Sequence, residues 1–427
     1  MEQSGADETP RVHPDPINQA MHTGGAVSRA AVPDRPAISL RSGTIVEMED
    51  RPARGDRLRE LIVVFGTLGF IGFGGPAAHI ALMRREVVER RRWLTDAQLV
   101  DLIGITNLIP GPNSTEMAMH VGRLRAGGIG LVVGGLAFIL PAAAIVLALA
   151  WVYAMFGETP TGVALLYGIK PVIVAIVAVA LVAFARTALT GPLRMAVAIG
   201  VGALWLVGVN ELVLLVAGAL IVVVARLGTR HRWTAMGLTL PLAGATAAAS
   251  VNLLTLGAVF LKAGALLYGS GYVLLAFLRG DLVERLGWLT DAQLLDAVAI
   301  GQVTPGPLFT TATFIGYLLA GIPGALVATT AIFLPAFVFV AIIGPFADRV
   351  RDRPLTAALL DGVNAAAIGL MAAVSVQLGA SAIRDPLTVT LGLGSLAVLV
   401  WGRVPSILLV ALGGMAGLGA SALGIGP

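Results

Sequence analysis

The heptapeptide Trp93-Leu94-Thr95-Asp96-Ala97-Gln98-Leu99 recurs unchanged as Trp288-Leu289-Thr290-Asp291-Ala292-Gln293-Leu294, 195 positions later. The same offset lays Phe65 on Phe260, Gly69 on Gly264, Gly74 on Gly269, Arg84 on Arg279 and Pro110-Gly111-Pro112 on Pro305-Gly306-Pro307. One residue then drops out. At 194 positions Ala126-Gly127 falls on Ala320-Gly321, Leu140-Pro141-Ala142 on Leu334-Pro335-Ala336 and Pro192 on Pro386. Chance does not hold a register through so many matches, so the chain is two copies of one unit. The copies occupy 59–226 and 256–427, with a linker at 227–255 that has room for an extra span. The stretch 1–58 mixes Pro, Ser, Gly and both signs of charge with no apolar run, and reads as a disordered cytoplasmic tail rather than a signal peptide.

Both copies are built for lipid. Hydrophobic residues make up 57% of the chain and charged ones 13%, against about 45–50% and about 25% in soluble domains. Ile129–Phe156, Pro171–Ala185 and Leu212–Ala225 carry no charge at all. A bilayer takes about 20 apolar residues per helix, which gives about ten to twelve spans or half-spans. The expected fold is therefore an all-α polytopic membrane protein. Without a cysteine there is neither disulfide nor thiolate metal site. The net charge of +4 comes from arginines set between apolar segments, not from a patch suited to nucleic acid. No metal-ligand spacing, nucleotide loop or nucleophile elbow occurs, so no cofactor and no enzymatic reaction is expected.

The arginines also report orientation. Arg90-Arg91-Arg92, Arg123 and Arg125 of the first copy thin to Arg285 and to the uncharged Tyr317-Leu318-Leu319 in the second. The base-free loop 157–162 has a counterpart carrying Arg349, Arg351 and Arg353. The charge bias has changed sides, which favours inverted repeats.

Each copy opens with helices that cannot cross. Leu61–Phe73 is apolar but short, and meets Gly74-Gly75-Pro76 before charge returns at Arg84. Ala97–Ile109 runs into Pro110-Gly111-Pro112, and a second short stretch ends at Arg123-Leu124-Arg125. Proline breaks a helix, and broken backbone survives at membrane depth only where protein or a water-filled cavity covers it. We expect two re-entrant hairpins per half, with tips at the breaks and bases on one side.

A helix restarting at Asn113-Ser114-Thr115 offers unbonded amides, hydroxyls and the positive end of its dipole, a combination suited to an anion. The second copy repeats the arrangement with Gly269 and Ser270 at its first break, and with Pro305-Gly306-Pro307 followed by Thr310 and Thr311 at its second. These residues, with Gly74, Gly75, Pro76, Pro110, Gly111 and Pro112, are the substrate-binding candidates. His79, Arg84, Glu116, Arg123, Lys170 and Lys262 are candidate pathway charges, because ionisable groups in apolar segments are usually functional. Glu116 either carries a coupling proton or pairs with Arg84 or Arg123. Lys170 precedes Pro171 and could instead snorkel to the interface, while Lys262 replaces Thr67 of the first copy. Repeats of this kind mark secondary transporters with the substrate between them. The expected partners are a small oxyanion, protons and the lipid bilayer, with a homodimer as one assembly open to the chain. A passive anion channel is the alternative.

The series Phe73-Gly74-Gly75-Pro76-Ala77-Ala78-His79, Arg84-Arg85-Glu86, Trp93-Leu94, Pro110-Gly111-Pro112, Arg125-Ala126-Gly127 and Leu140-Pro141 resembles the chromate ion transporter family, the CHR superfamily. Tyr268-Gly269-Ser270-Gly271-Tyr272 and Pro305-Gly306-Pro307 resemble its second domain, so the likeness covers everything but the tail. The resemblance implies a long, two-domain, multi-pass protein of the bacterial inner membrane. It also implies export of chromate, with sulfate as a related oxyanion and the proton-motive force as the drive. The Gly-Gly-Pro and Pro-Gly-Pro elements and the charges near them would form the pathway. Asn113 and Leu308 stand where the family often has Ser or Gln, a departure that bears on which anion is preferred.

Overall fold

A computed structural model describes residues 53–227, 250–268, 271–346, 353–402 and 404–425. Most of the tail (1–52), most of the linker with its extra span (228–249), and Arg349 and Arg351 lie outside the described residues. The described residues form fourteen α-helices, seven from each half. The first half contributes α1 (Arg54–Ile71), α2 (Gly75–Arg84, continued by a wider π turn, Arg85–Arg90), α3 (Asp96–Thr106), α4 (Asn113–Phe156), α5 (Pro160–Ala188), α6 (Pro192–Leu206) and α7 (Glu211–Leu227). The second contributes α8 (Leu253–Leu266), α9 (Leu274–Leu278, continued by Arg279–Arg285), α10 (Asp291–Val303), α11 (Thr311–Ile343), α12 (Pro354–Ala382), α13 (Pro386–Trp401) and α14 (Ser406–Ala422). Helix α1 begins at Arg54, inside the stretch read from sequence as tail.

The repeated heptapeptide has a local job. Thr95 and Thr290 each accept a hydrogen bond from the backbone amide three residues on, Gln98 and Gln293, whose side chains bond back to the cap. This capping box starts α3 and α10 at matching positions.

The two longest helices are each folded in two. Backbone at Ala126 and Gly127 leaves the helical region, with Gly127 at φ +71°, and Ala320 with Gly321 at φ +59° does the same in α11. Only glycine takes such angles without strain. Beyond the turn the arms run back along each other. A Cβ on Gly122 would strike the Gly130 carbonyl and one on Gly134 the Ala118 carbonyl, so the register is antiparallel. In α11, Gly316 abuts Gly324, and the Thr313 and Thr329 hydroxyls bond at 2.7 Å. In lipid there is little hydrophobic drive between helices, and small residues that permit close approach do the holding instead.

The expected re-entrant pairs are present. Helices α1 and α2 turn at Gly72–Gly74, and α3 and the first arm of α4 turn at the Pro-Gly-Pro loop. Their bases gather around Arg125, which pairs with Glu60 of α1 at 2.7 Å and lies 5.0 Å over the Trp93 ring. Arg57 donates to the Arg125 carbonyl at 3.0 Å.

The halves are inverted. The base of the second half meets the far end of the first: Arg279 lies 5.6 Å over Trp205 at the end of α6, and Asp296 of α10 accepts from Tyr153 near the end of α4 at 2.9 Å. Reciprocally, Arg123 near the first-half base donates to the Val340 and Ala341 carbonyls at the far end of α11. Helices α13 and α14 pack on α5, while α6 and α7 pack on α12, so each half lends its last two helices to the other. Glycine contacts at Gly168–Gly413 and Gly362–Gly218 let these crossings close. The two repeats thus share one core. Among the described residues four helices are long and apolar enough, by length and composition, to cross a membrane, namely α4, α5, α12 and α11 with its preceding turn. Outward-facing Leu and Val residues along them suit lipid contact.

Candidate functional site

Two backbone hydrogen bonds tie the halves together at their tips. The Gly111 amide donates to the Leu267 carbonyl at 2.9 Å, and the Gly306 amide donates to the Gly72 carbonyl at 2.8 Å. Each Pro-Gly-Pro loop is therefore pinned to the broken first helix of the opposite half. Gly111 at φ +146° and Gly306 at φ +89° occupy backbone that other residues avoid, and a Cβ at Gly306 would come within 2.5 Å of the Ala142 Cβ.

The tips enclose a cavity of about 60 Å³. At about 10–15 Å³ per water this holds roughly four to six waters, or one small polyatomic ion. The first half lines it with Gly74, Gly75, Pro76, His79, Gly111, Pro112, Asn113 and Ser114. The second half supplies Gly271, Gly301, Gln302, Thr304, Gly306, Pro307, Leu308 and Phe309. Helix α2 starts at Gly75 and α4 at Asn113, so two sets of first-turn amides border the space. The His79 ring bonds through Nδ1 to the Ser114 hydroxyl at 3.1 Å and through Nε2 to the Gly72 carbonyl at 2.8 Å. Since a carbonyl can only accept, Nε2 carries the proton, and neutral His79 then accepts from Ser114. The Asn113 side chain donates to Asn107 Oδ1 at 2.8 Å. Among the described residues the lining has no lysine, arginine or carboxylate, and its polar side chains are His79, Asn113, Ser114, Gln302 and Thr304; an anion there would be held by dipoles and hydrogen bonds.

Nine of the substrate-binding candidates border this cavity: Gly74, Gly75, Pro76, Gly111, Pro112, Asn113, Ser114, Gly306 and Pro307. Pro110 and Pro305 flank the tips without lining it. Thr115 is buried with its hydroxyl unpartnered. Thr310 and Thr311 return their hydroxyls to the Pro307 and Leu308 carbonyls at 2.9 and 2.8 Å, within their own turn. Gly269 and Ser270 lie outside the described residues.

Of the candidate charges only His79 lines the cavity. Glu116 sits directly behind it, 0% exposed, with neither carboxyl oxygen hydrogen-bonded among the described residues. A Cβ at Gly111 would lie 2.3 Å from Glu116 Oε1. The alternative partners for Glu116 are engaged elsewhere: Arg84 with Glu89 and Asp96 at the hairpin base, Arg123 with the α11 carbonyls. Lys170 is not snorkelling. It pairs with the buried Asp296 at 3.3 Å, joining α5 to α10. Lys262 pairs with Glu211 at 2.9 Å and with Asp281, joining α8 to α7 and to the turn after α9. Both lysines bridge the two halves. Gly301, Gln302, Thr304 and Phe309 were not singled out from sequence, and Gly271 and Leu308 entered there only through the family motif. Gln302 had a signal, because it stands 195 residues after Asn107, and both precede a Pro-Gly-Pro loop by three positions.

Two stretches of the chain, 59–223 and 254–418, match the family model described as "Chromate transporter". A relative from Synechococcus elongatus is 33% identical over 375 residues, covering 84% of this chain and 95% of its own. The "Chromate transport protein" of Cupriavidus metallidurans is 33% identical over 354 residues, 80% of this chain and 88% of that one. The protein of the same name from Pseudomonas aeruginosa is 33% identical over 358 residues, 79% and 85% of the two chains. No solved structure matches significantly. With both repeats matched and the relatives covered nearly end to end, this chain belongs to the chromate transporter family, a family of membrane transport proteins and not of enzymes.

Proposed function

We propose that this chain is a secondary transporter that exports chromate, or a similar oxyanion such as sulfate, across the bacterial inner membrane at the expense of the proton-motive force. The observation that carries the reading is the cavity between the two pinned tips, contributed equally by inverted halves and bordered by helix starts. That is where transporters built from inverted repeats hold their substrate. Amides of the first turns and the Gln302 side chain replace the water lost by the ion. Rocking of one half against the other then exposes the site to alternate sides. The relatives named for chromate transport support the choice of cargo.

Glu116 is the proton carrier in this reading. A charged carboxylate without a partner at membrane depth is costly, and more so with a dianion on the other side of Gly111. Cargo and proton therefore travel together. Export of a dianion with one proton still moves one net negative charge outward; the inside-negative potential favours this by about 2.3 kcal/mol per 100 mV, while the pH gradient opposes the proton's exit, so the drive is the potential component of the proton-motive force.

Everted membrane vesicles containing the chain should accumulate radiolabelled chromate when energised, with sulfate or molybdate competing. Vesicles that accumulate another anion and ignore chromate would overturn the cargo. Accumulation that follows an imposed membrane potential but is indifferent to an imposed pH gradient would mean a passive conduit.

A further inference from the structure

A second, larger cavity of about 320 Å³ lies towards the base of the first half's hairpins and shares Asn113 with the tip cavity. Its lining includes Asn107, Asn113, Thr187, Arg194, Asp361 and Asn364. Arg194 starts α6, and its Nη2 bonds Asp361 Oδ2 at 2.5 Å. Arg226, at the end of α7, bonds the same oxygen at 2.6 Å. Two guanidinium groups on a single carboxylate leave one positive charge over. The second Arg194 nitrogen, Nη1, is held by the Ala188 carbonyl at 3.1 Å, which fixes the side chain at the cavity wall.

The pseudo-symmetric positions at the opposite end carry none of this. Arg194 corresponds to Thr388, Asp361 to Tyr167 and Asn364 to Lys170. There, Tyr167 donates to Asp385 at 2.8 Å, and Lys170 is consumed by Asp296 with Tyr153. Two spaces near there, one lined by Leu378 and one by Leu308, are about 10 Å³ each, too small for an ion. Among the described residues, the first-half place has an arginine, Arg194, in a roomy wall that reaches Asn113 of the tip cavity, with Arg226 on the Asp361 carboxylate outside that wall.

We propose that this vestibule is a loading site for a small tetrahedral dianion, in which the cargo displaces Asp361 from Arg194 and Arg226 before passing Asn113 into the tip cavity. Guanidinium groups bind oxyanions through paired, charge-assisted hydrogen bonds. Asp361 serves as a resident counter-ion. It keeps both arginines in place when no cargo is present and must be outcompeted by a dianion, which a monovalent anion does less well. The proposal rests on the oxyanion-transport reading and adds a second, earlier contact to it.

The test is the dependence of transport rate on anion concentration in vesicles, for the full chain and three variants, with chromate and sulfate as probes. Arg194→Gln should raise KM about tenfold, the loss expected for one charge-assisted contact, with the maximal rate changed far less. Asp361→Asn should do the opposite and lower KM several-fold, because it removes the competitor while leaving both cations. Arg194→Lys, which keeps the charge and loses the fork, should fall between wild type and Arg194→Gln. Equilibrium dialysis of purified protein against labelled sulfate gives the same ranking without transport, and thermal unfolding midpoints identify a variant that has only lost its fold. If Asp361→Asn weakens binding as Arg194→Gln does, the cluster is a structural clamp and the loading site is overturned. If KM is indifferent to Arg194, it is overturned as well. Wild-type protein that neither binds nor moves any oxyanion would instead refute the transport reading, and the loading site with it.

Discussion

The two Pro-Gly-Pro tips share a backbone and differ in chemistry. Each places a glycine at positive φ and donates one amide to the broken first helix of the opposite half. The first tip then runs into Asn113, Ser114, Thr115 and Glu116, ending in a buried carboxyl with no partner. The second runs into Leu308, Phe309, Thr310 and Thr311, whose hydroxyls are satisfied inside their own turn. A like contrast holds on α1 and α8, where exposed Thr67 corresponds to Lys262, bound to two carboxylates. Duplication supplied a symmetric frame, and departures from symmetry place the charged groups differently in the two halves. Positions related by the repeat should therefore respond alike when they hold the frame and unlike when they carry charge.

The largest expected difference is at Lys262 and Thr67. Lys262→Met leaves Glu211 and Asp281, both buried, without their shared cation, and removing one member of a buried pair costs about 3–5 kcal/mol. Arg285, which also pairs with Asp281, softens that cost. Thr67→Met, on an exposed surface of α1, should stay within about 0.5 kcal/mol. Unfolding midpoints of the detergent-solubilised variants decide it. Similar losses at both sites would mean that the cluster around Lys262 is not holding the halves together.

How far these asymmetries were legible depends on which forces set them. The repeat, the helix breaks and the inversion could be read from sequence, because each is a local or compositional property: a Pro-Gly-Pro, a short apolar run, arginines moved from one flank to the other. The gathering of Gly74, Gly111 and Ser114 followed from the same logic. The exchange of α6–α7 with α13–α14 was hidden, since its only trace is glycine at positions such as Gly168, Gly362 and Gly413, whose partners lie in the other half. Asp296 escaped notice for a related reason. A lone aspartate in α10 acquires meaning only when inversion brings Lys170 and Tyr153 against it. Lys170 reads from sequence as a pathway charge or a snorkelling lysine, and its pairing with Asp296 makes it a bridge between the halves.

A smaller, functional difference should separate Glu116 from the second tip. Glu116→Gln keeps the shape and hydrogen-bonding capacity of the side chain but removes its ionisation, so the initial rate of chromate transport should lose its pH dependence. Thr311→Val at the second tip removes a hydroxyl already spent on Leu308 and should leave the pH profile where it was. A Glu116→Gln profile that follows wild type would return Glu116 to a structural role and erase the chemical distinction between the tips.

The smallest effect tests the frame itself. Thr95 and Thr290 sit in identical heptapeptides and make the same capping box, each accepting from an amide at 3.2 Å. Removing a threonine cap costs about 1 kcal/mol, so Thr95→Ala and Thr290→Ala should lower stability by that amount each and by nearly equal steps. The two caps lie at opposite ends of the inverted bundle and share no partner, so the double variant should lose close to the sum of the two. A marked inequality would show that the ends of the bundle differ in more than charge, for instance because the Lys262–Asp281–Arg285 cluster braces the turn before α10 while its counterpart before α3 is braced by Arg84, Arg90 and Arg91 to exposed or half-buried acids. Equality, with Lys262 and Thr67 far apart in the same assay, would separate the symmetric frame from the asymmetric charges within one set of measurements.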